Sequence, residues 1–421
     1  MDRKPGALLY NDQYVMSRSV VAHSKVLRRA DMRQANDRVV LNIIRQTPYL
    51  SRSDLVQITG FPASSVAFIV NRMIGEQLLE EEPLDTSLRR GRRRLGLTLR
   101  SDSMFLIGVE LANGEATVVA ADPHGGILAT RRVPVQRNAG LLLARTRDAI
   151  AALVAKHGTK RLLGVGVGLT GTVDRATGRV IADENQGWFD VEAGRELSRD
   201  IDAGFYFDND SRLAALAERW FAPPGDRPIQ NAVFVMTNRG LGTGVISDGK
   251  LLFGTSGAAS EFGHTTLFAE GRRCVCGSIG CWEEYASQRA MERQYAERIP
   301  PAAGESSPGA AEIVLLARAG DPTAIAVLRQ TAKYLGMGFV NLVFAFDPEL
   351  IVIGGYISAA WDLIESTVRE TLHERLAPRY LSRLRIVPSR LGANAVLKGT
   401  LALVLSNYFT DTAAPVPHQG R

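Results

Sequence analysis

The segment Gly257–Glu283 reads GAASEFGHTTLFAEGRRCVCGSIGCWE and contains all 3 cysteines of the chain. His264 precedes Cys274, Cys276 and Cys281, so one imidazole and three thiols lie close together along the sequence. Zinc prefers such a tetrahedral set of thiolates and imidazole in structural sites. An odd number of cysteines at this spacing is not typical of a disulfide framework, but it is typical of a metal site in a reducing compartment. The segment therefore predicts a structural zinc ion bound by these four side chains.

Polar side chains that suit a polyhydroxylated ligand lie within this segment and after one predicted strand. Glu261 and His264 lie in the segment, and Glu283 ends it. Asn209 and Asp210 follow an apolar strand-like run. Each sugar hydroxyl both donates and accepts hydrogen bonds, so carboxylate, amide and imidazole groups bind it in pairs. These residues predict a sugar-binding cleft, and the Asp210 carboxylate is also chemically able to act as a general base.

Residues 103–410 alternate between apolar segments that are typical of strands and segments with helical periodicity. Strand-like segments include MFLIGVEL (104–111), ATVVAAD (116–122), LLGVGVGLTG (162–171) and NAVFVM (231–236). Residues 394–410 have the pattern of a last helix, and residues 411–421 have the composition of a disordered tail. The alternation predicts an α/β fold.

The sequence before this α/β region has the pattern of three short helices and a hairpin. Apolar residues of Asn36–Arg45 lie on one face of a helix. Ser51 and Asp54 have the spacing of a capping box at the start of a second helix, and Gly60 suits the end of that helix. Pro62 suits the first turn of a third helix, because that position needs no backbone N–H donor. This order of elements predicts a winged helix-turn-helix.

The winged helix-turn-helix is predicted over residues 31–100, after a basic and flexible arm over residues 1–30. Its third helix would enter the major groove of DNA, and its arginine-rich hairpin tip would contact the minor groove or the phosphates. The predicted DNA contacts are Ser64, Ser65, Ala67, Asn71 and Arg72 on the helix and Arg90, Arg92 and Arg93 on the hairpin.

The distribution of charge is consistent with a polyanionic partner for the N-terminal quarter. The chain carries a net charge of +6, but residues 1–100 alone carry 17 Lys and Arg against 10 Asp and Glu, a net charge of +7. The basic excess therefore lies entirely in the N-terminal quarter, the predicted arm and helix-turn-helix together, which favours nucleic acid as the partner. A basic segment that only improves solubility is the alternative.

The composition excludes several other classes of protein. Hydrophobic residues make up 45% and charged residues 22% of the 421 residues, as in ordinary globular proteins. We identify no apolar run that is long enough to span a bilayer, and the first residues lack the apolar core of a secretion signal. The sequence therefore predicts a cytoplasmic protein that is not inserted into a membrane.

Residues 104–410 resemble the ROK family of repressors, open reading frames and sugar kinases, which has an actin-like, hexokinase-like fold. The motifs that carry the resemblance are VGVGLTGTVD (165–174), NQGW (185–188), DNDSRLAALAE (208–218), GAASEFGH (257–264), CVCGSIGCWE (274–283) and IVIGGYIS (351–358). The resemblance implies two lobes, the first over 101–225 and completed by helix 394–410, the second over 226–393 with the zinc site. The N-terminal helices are similar to the DNA-binding part of the family's repressors.

The resemblance also implies which residues contact a sugar and zinc. The implied sugar ligands are Gly171, Asn185, Asn209, Asp210, Glu261, His264 and Glu283. Asp210 matches the catalytic base of the kinases. His264 matches a residue that serves zinc through one ring nitrogen and the sugar through the other. Zinc would then shape the sugar pocket without taking part in a reaction.

Departures from the family pattern indicate that this chain is not an enzyme. The kinases have an Asp-x-Gly-Gly-Thr phosphate loop where this chain has Glu110-Leu111-Ala112-Asn113-Gly114, and Asn238-Arg239-Gly240-Leu241 replaces a second, Gly-Thr-Gly loop. The first change removes the adjacent glycines that let backbone amides approach a phosphate. The second would place the long side chain of Arg239 where a nucleotide phosphate should lie. Thr170 and Ser211-Arg212 also differ from the usual residues, which puts the identity of the sugar in doubt. Asp210 is therefore expected to be vestigial as a catalytic base.

These observations predict a sugar-responsive DNA-binding transcription regulator, and repression relieved by ligand is the favoured sign. It would bind an operator in double-stranded DNA as a homodimer or homotetramer. One alternative is an ATP-dependent sugar kinase with a DNA-binding head, and another is a regulator that senses a protein partner. A narrower alternative is a phosphorylated sugar whose phosphate contacts Arg239, although a local salt bridge of Arg239 is favoured over that role.

Overall fold

The computed structural model describes residues 29–83, 95–134, 138–221, 229–255, 257–302 and 304–409. Three sequence predictions lie wholly or largely outside these residues: the arm over 1–30 except its last two residues, the hairpin tip with Arg90, Arg92 and Arg93, and the tail over 411–421.

The N-terminal head consists of three helices and a two-stranded sheet. The helices are α1 (Arg29–Gln46), α2 (Arg52–Thr59) and α3 (Ala63–Gly75), and the strands are β1 (Leu79–Pro83) and β2 (Leu95–Leu99). The two strands pair in an antiparallel register that places Leu79 opposite Leu99. Three helices followed by an antiparallel pair of strands agree with the predicted winged helix-turn-helix.

Local sequence signals account for the ends of α2. The Ser51 hydroxyl accepts a hydrogen bond from the Asp54 amide, and the Asp54 carboxylate accepts one from the Ser51 amide at 2.9 Å, so the predicted capping box is present. Gly60 ends the helix with a left-handed φ of 67°. Two boundaries differ from the sequence prediction. Pro62 caps α3 rather than occupying its first turn, and α1 begins at Arg29, inside the segment expected to be an arm.

The first half of the body is built on a mixed five-stranded sheet. Its strands are β3 (Met104–Ala112), β4 (Glu115–Ala121), β5 (Ile127–Val133), β6 (Arg161–Leu169) and β10 (Phe205–Asn209), in the order β10-β6-β3-β4-β5. β3, β6 and β10 are parallel, whereas β4 and β5 are antiparallel to their neighbours. A separate meander contains β7 (Thr172–Asp174), β8 (Arg179–Asp183) and β9 (Trp188–Val191), and the helices are α4 (Ala139–Lys156), α5 (Ala193–Ser198) and α6 (Asp210–Trp220).

The second half repeats this strand arrangement. Its sheet has the order β13-β12-β11-β14-β15, formed by β11 (Ala232–Thr237), β12 (Leu241–Ser247), β13 (Lys250–Leu251), β14 (Leu350–Gly355) and β15 (Arg385–Pro388). Three of these strands are again parallel and two antiparallel. The helices are α7 (Glu283–Ala286), α8 (Gln288–Arg298), α9 (Ala310–Arg318), α10 (Pro322–Phe346), α11 (Trp361–Arg375), α12 (Pro378–Leu381) and α13 (Ala395–Phe409).

Helices α6 and α13 lie between the two sheets and pack on each other. α13 also packs on β3 and β6 of the first sheet, so the last described helix returns to the first half of the body. The glycines of β6 allow this close approach: a side chain at Gly166 would overlap the backbone carbonyl of Thr400 in α13. The body thus has two similar halves with a pair of helices between them, which confirms the predicted actin-like α/β fold.

The head and the body share one apolar core. Val40 and Ile44 of α1 belong to the same buried cluster as Leu401 and Leu405 of α13 and Leu163 of β6. Among the described helices, none combines the length and the apolar character that crossing a membrane requires.

Candidate ligand cleft and metal centre

A polar cleft of about 230 Å³ lies where the meander, the start of α6 and the second sheet meet. It is lined by all seven residues that the sequence predicts as sugar ligands: Gly171, Asn185, Asn209, Asp210, Glu261, His264 and Glu283. The volume is smaller than the roughly 300–1,000 Å³ that drug-sized ligands occupy, which favours a small ligand. The structure brings the seven residues together, and their contact with a sugar stays a prediction.

The start of α6 positions two of these residues. The Asn209 side-chain oxygen caps α6 by accepting hydrogen bonds from the Ser211 and Arg212 amides, at 2.9 and 3.3 Å. The Asn209 side-chain amide donates to the carbonyl of Gly171 at 3.0 Å. Asn209 therefore joins α6 to the loop after β6, and Asp210, the first residue of α6, is held at the cleft.

Two half-buried carboxyl groups lie close enough to influence each other. The pKa of Asp210 is raised to about 7, chiefly by burial; hydrogen bonds from Ser211 oppose this rise, and the charges of Asp183 and Glu261 contribute to it. Burial also raises the pKa of Glu110, near the end of β3, to about 7, with an additional contribution from Asp210. The Glu110–Asp210 pair therefore holds less negative charge at neutral pH than two exposed carboxylates would.

A hydrogen-bonded network that the sequence did not reveal lies opposite α6. Asp183 is almost fully buried at the end of β8 and accepts a hydrogen bond from the Thr170 hydroxyl. The Gln186 side-chain amide donates to Asp183 and Thr170 at 2.9 and 2.6 Å, and its oxygen accepts from the Gly114 amide at 2.9 Å. The NQGW motif beside Asp183 was the available signal, but the contact with residue 170 depends on how the meander folds.

The β3–β4 turn and the β11–β12 turn, where the sequence departs from the family pattern, each engage a backbone amide with a side chain. In the β3–β4 turn, the Gly114 amide is bound by Gln186, and Asn113 has a left-handed φ of 53°. In the β11–β12 turn, the Leu241 amide donates to Glu283 at 2.9 Å, and a side chain at Gly240 would overlap the same carboxylate. Arg239 is exposed on this second turn and lines the cleft.

Arg212, one of the departures from the family pattern, is buried beneath the cleft. Its guanidinium donates to Asp208 at 2.6 Å and to the carbonyl of Gly257 at 2.5 Å. Arg175 forms a second ion pair with Asp208 at 3.0 Å and stacks over the Phe253 ring. The network connects α6 to the loop that carries Glu261. The residue at position 212 can therefore influence the shape of the cleft without lining it.

The predicted metal ligands form a compact cluster next to the cleft. One ligand atom from each of His264, Cys274, Cys276 and Cys281 lies within 4.8 Å of all the others. Cys274 Sγ lies 3.6 Å from His264 Nδ1, and Cys276 Sγ lies 3.7 Å from Cys281 Sγ. Metal–sulfur distances of about 2.3 Å place two sulfurs of a tetrahedron roughly 3.8 Å apart, so the residues fit a metal ion.

The loop that holds the cysteines turns sharply at glycine. Gly277 and Gly280 have φ values of 90° and 76°, a region that favours glycine. The Cys274 amide donates to the carbonyl of Ser278 at 2.9 Å, which closes the loop around Cys276. Cys276 is exposed, whereas Cys274 and Cys281 are buried.

Two of the five DNA contacts predicted on α3 are exposed to solvent, and the other three are half-buried. Ser64 and Asn71 of α3 are exposed, and Ser65 and Ala67 are half-buried. The Arg72 guanidinium is half-buried, pairs with Asp37 of α1 and lies 3.5 Å from Glu76. Its contact with a DNA phosphate stays a prediction.

A helix-turn-helix head on an actin-like body with a polar cleft defines a class of protein that combines a DNA-binding unit with a sugar-kinase-like domain. The sequence model that describes the ROK family matches residues 106–407. The chain belongs to the ROK family.

Some relatives align with nearly the whole of this chain, and others align with a smaller part of it. The chain is 27% identical to the xylose repressor of Caldicellulosiruptor bescii, over 89% of this chain and 96% of the repressor. It is 31% identical to a glucokinase of Streptomyces coelicolor, over 70% of this chain and 96% of the kinase. A crystal structure of a ROK family transcriptional regulator, a homologue of the Escherichia coli MLC protein, superimposes with a TM-score of 0.79 at 27% identity, over 90% of this chain and 97% of that one.

Proposed function

We propose that this protein is a sugar-responsive transcription regulator, and that it represses genes for carbohydrate use until a sugar binds. The observation that carries the proposal is the combination of a helix-turn-helix with a polar cleft in one structure whose head and body share a core. The similarity to a xylose repressor over nearly the whole length of both chains supports it. The similarity to the MLC homologue, a transcriptional regulator, supports it as well.

The sugar-binding proposal rests on the chemistry of the cleft. The carboxylates of Asp210, Glu261 and Glu283 accept hydrogen bonds from hydroxyl groups, and the Asn209 amide retains one N–H that can donate. His264 lies both in the metal cluster and on the wall of the cleft. Zinc held by His264 and the three cysteines would orient that imidazole and the loop around it, which is a structural contribution.

The proposal includes the absence of kinase activity. Asp210 is available as a base, but one backbone amide of each loop, that of Gly114 and that of Leu241, is engaged by Gln186 or Glu283. An ATP-dependent sugar kinase with a DNA-binding head is the alternative. Coupled ADP release with a panel of hexoses and pentoses distinguishes the two: we expect no turnover, and turnover that is lost in Asp210→Asn would establish the kinase.

Helix α6 supplies a direct route from the cleft to the head. It begins at Asp210 in the cleft and ends at Trp220. The guanidinium of Arg45, in the last turn of α1, lies 4.2 Å from the centre of the Trp220 ring. A displacement of α6 when sugar binds would therefore move α1 and the rest of the head. The affinity for DNA must differ between the sugar-free and the sugar-bound position of the head. A ligand can shift an equilibrium between two states only if it binds them with different affinities.

On the DNA side we propose that the operator is double-stranded and that a homodimer or homotetramer binds it. Two copies would place one α3 helix in each of two half-sites. Ser64, Ser65, Ala67, Asn71 and Arg72 are the proposed contacts of α3. Arg90, Arg92 and Arg93 are the proposed contacts of the hairpin tip.

Thermal unfolding of the zinc-loaded protein with free and phosphorylated sugars, each with and without ATP, is the first test. A ligand at 100 times its dissociation constant adds about 2.7 kcal/mol of stability. We expect a shift with one class of sugar and no additional shift with ATP. If none of the sugars in a broad panel shifts the unfolding temperature, the alternative of a protein partner is favoured. Pull-down from membrane fractions would then identify that partner.

The same screen decides whether the ligand is phosphorylated. Arg239 is exposed on the wall of the cleft and forms no ion pair within the described part of the chain, so the local salt bridge favoured from the sequence is not present there. A shift with a sugar phosphate that is lost in Arg239→Ala would assign the phosphate to this guanidinium.

A further inference from the structure

The outward face of α3 has an unusual composition for a helix that enters a DNA groove. Val66, Ile69, Val70 and Met73 are buried on one side of the helix. Ser64, Phe68 and Asn71 are exposed on the other side, with Ala67 half-buried beside them. The exposed residues are four and three positions apart, so they form one stripe along the helix.

This stripe contains no charged side chain. Every residue of α3 is described, and Arg72 is the only charged residue among them. Arg72 is paired with Asp37 and Glu76, away from the stripe. Arg and Lys bind the edge of guanine, and Asp and Glu accept from cytosine. The stripe therefore lacks the side chains that read a G·C pair most strongly, and it retains serine, asparagine and apolar groups.

Phe68 is the largest group on the stripe. Its side chain is 56% exposed, although nearby apolar side chains of α3 are buried. The Arg33 guanidinium of α1 lies 6.0 Å from the centre of the ring, within the range of a cation–π contact. An exposed ring beside a cation suits a surface that meets both an apolar group and a phosphate.

We propose, on the basis of the function proposed above, that Phe68 determines operator specificity by packing against the 5-methyl group of a thymine. The thymine methyl is the apolar group in the major groove. Asn71 lies three residues further, a rise of about 4.5 Å, which falls between the spacing of one base step, about 3.4 Å, and that of two. Its amide suits the N6 and N7 atoms of an adenine. The half-site is therefore read as a thymine and an adenine on adjacent or next-but-one base pairs.

The test starts with selection of binding sites from random duplex DNA by the full-length, zinc-loaded protein. Wild type, Phe68→Ser and a matched control, Phe189→Ser, are compared. Phe189 is 62% exposed on β9, outside the head, so its replacement removes an equally exposed ring. We expect the wild type and the control to select a common thymine in each half-site and Phe68→Ser to lose the preference at that position.

Deoxyuridine then isolates the methyl group, because it differs from thymidine only by lacking it. Replacing the selected thymine with deoxyuridine should weaken wild-type binding roughly fourfold, the effect of one buried methyl group, and should leave Phe68→Ser binding unchanged. The inference is overturned if wild-type binding is insensitive to deoxyuridine at every thymine of the site, a result that does not depend on the variant folding. It is also overturned if Phe68→Ser selects the wild-type site. Enrichment of no sequence, with or without sugar, would instead contradict the proposed DNA-binding function.

Discussion

At the scale of single residues, Glu110 and Asp210 make the stability of the ligand-free protein depend on pH. Burial holds the pKa of each group at about 7, above the ordinary values near 4. A carboxyl group whose pKa is raised in the folded state stabilises the fold fully at low pH, and this contribution is lost as the pH rises through 7. We expect the free energy of unfolding to fall from about pH 4, the ordinary carboxyl pKa, to about pH 7 and to level off above that.

Replacing Glu110 with Gln should remove about 2 kcal/mol of this fall, because the substituted amide does not ionise and Asp210 loses a neighbouring negative charge. Urea unfolding of the ligand-free protein across the pH range measures the effect. Asp202→Asn, at an exposed loop position, is the control and should follow the wild type. An unchanged pH dependence in Glu110→Gln would contradict the assignment.

The residues of the cleft show what could be predicted from sequence and what could not. The seven lining residues belong to motifs of the ROK resemblance, so they could be named before the fold was seen. Asp183 escaped notice because its contact with Thr170 depends on the folded meander. The ion pair of Arg72 could not be foreseen, because helical spacing does not reveal which neighbouring helix supplies a carboxylate, here Asp37 of α1.

At the scale of elements, the cysteine loop is expected to bind one zinc ion per chain and to support the cleft. Cys276→Ser should lower the metal content and also the sugar-induced thermal shift, because His264 belongs to both sites. Cys276 is the best position to change, since its exposed side chain contributes little to packing. Mass spectrometry of the metal and thermal unfolding measure the two effects. Ile279→Val, at a partly exposed position of the same loop, should retain both; full metal content in Cys276→Ser would refute the ligand assignment.

The contact between α1 and α6 is expected to carry the signal from sugar to DNA. Trp220→Leu removes the ring under Arg45, far from the residues proposed to contact sugar and DNA. We expect the affinity of the Trp220→Leu variant for sugar alone, and for operator DNA alone, to change about twofold or less. The effect of sugar on DNA affinity, typically 5- to 150-fold in allosteric proteins, should fall several-fold.

Fluorescence anisotropy of labelled operator with and without sugar measures this coupling. Arg379→Leu removes a similar contact, with Tyr380 in α12, and should leave the coupling intact. Equal coupling in Trp220→Leu and wild type would exclude this route.

Element boundaries were predictable where a local signal marks them. Ser51, Asp54 and Gly60 set both ends of α2 through hydrogen bonds and backbone conformation that depend on neighbouring residues alone. The start of α1 was missed because Arg29–Ala35 has no apolar periodicity to reveal a helix. The packing of the head on the body could not be foreseen either. It brings Val40 and Leu405 into one buried cluster, although they are far apart in the sequence.

At the scale of the whole molecule, sugar and operator are expected to oppose each other by the same factor. If sugar weakens operator binding tenfold, saturating operator must weaken sugar binding tenfold, because both ligands act on one equilibrium between two states of the protein. Calorimetric titration of sugar into the free protein and into its complex with operator, alongside anisotropy of the operator, provides both factors. Operator DNA with scrambled half-sites is the control and should leave sugar affinity unchanged. Unequal factors at the same salt concentration would show that the protein changes its oligomeric state between the two measurements, and sedimentation of each complex would identify the change. Equal factors below 1 would reverse the sign and make the sugar a corepressor, with the sugar-bound position of α6 as the form that fits DNA.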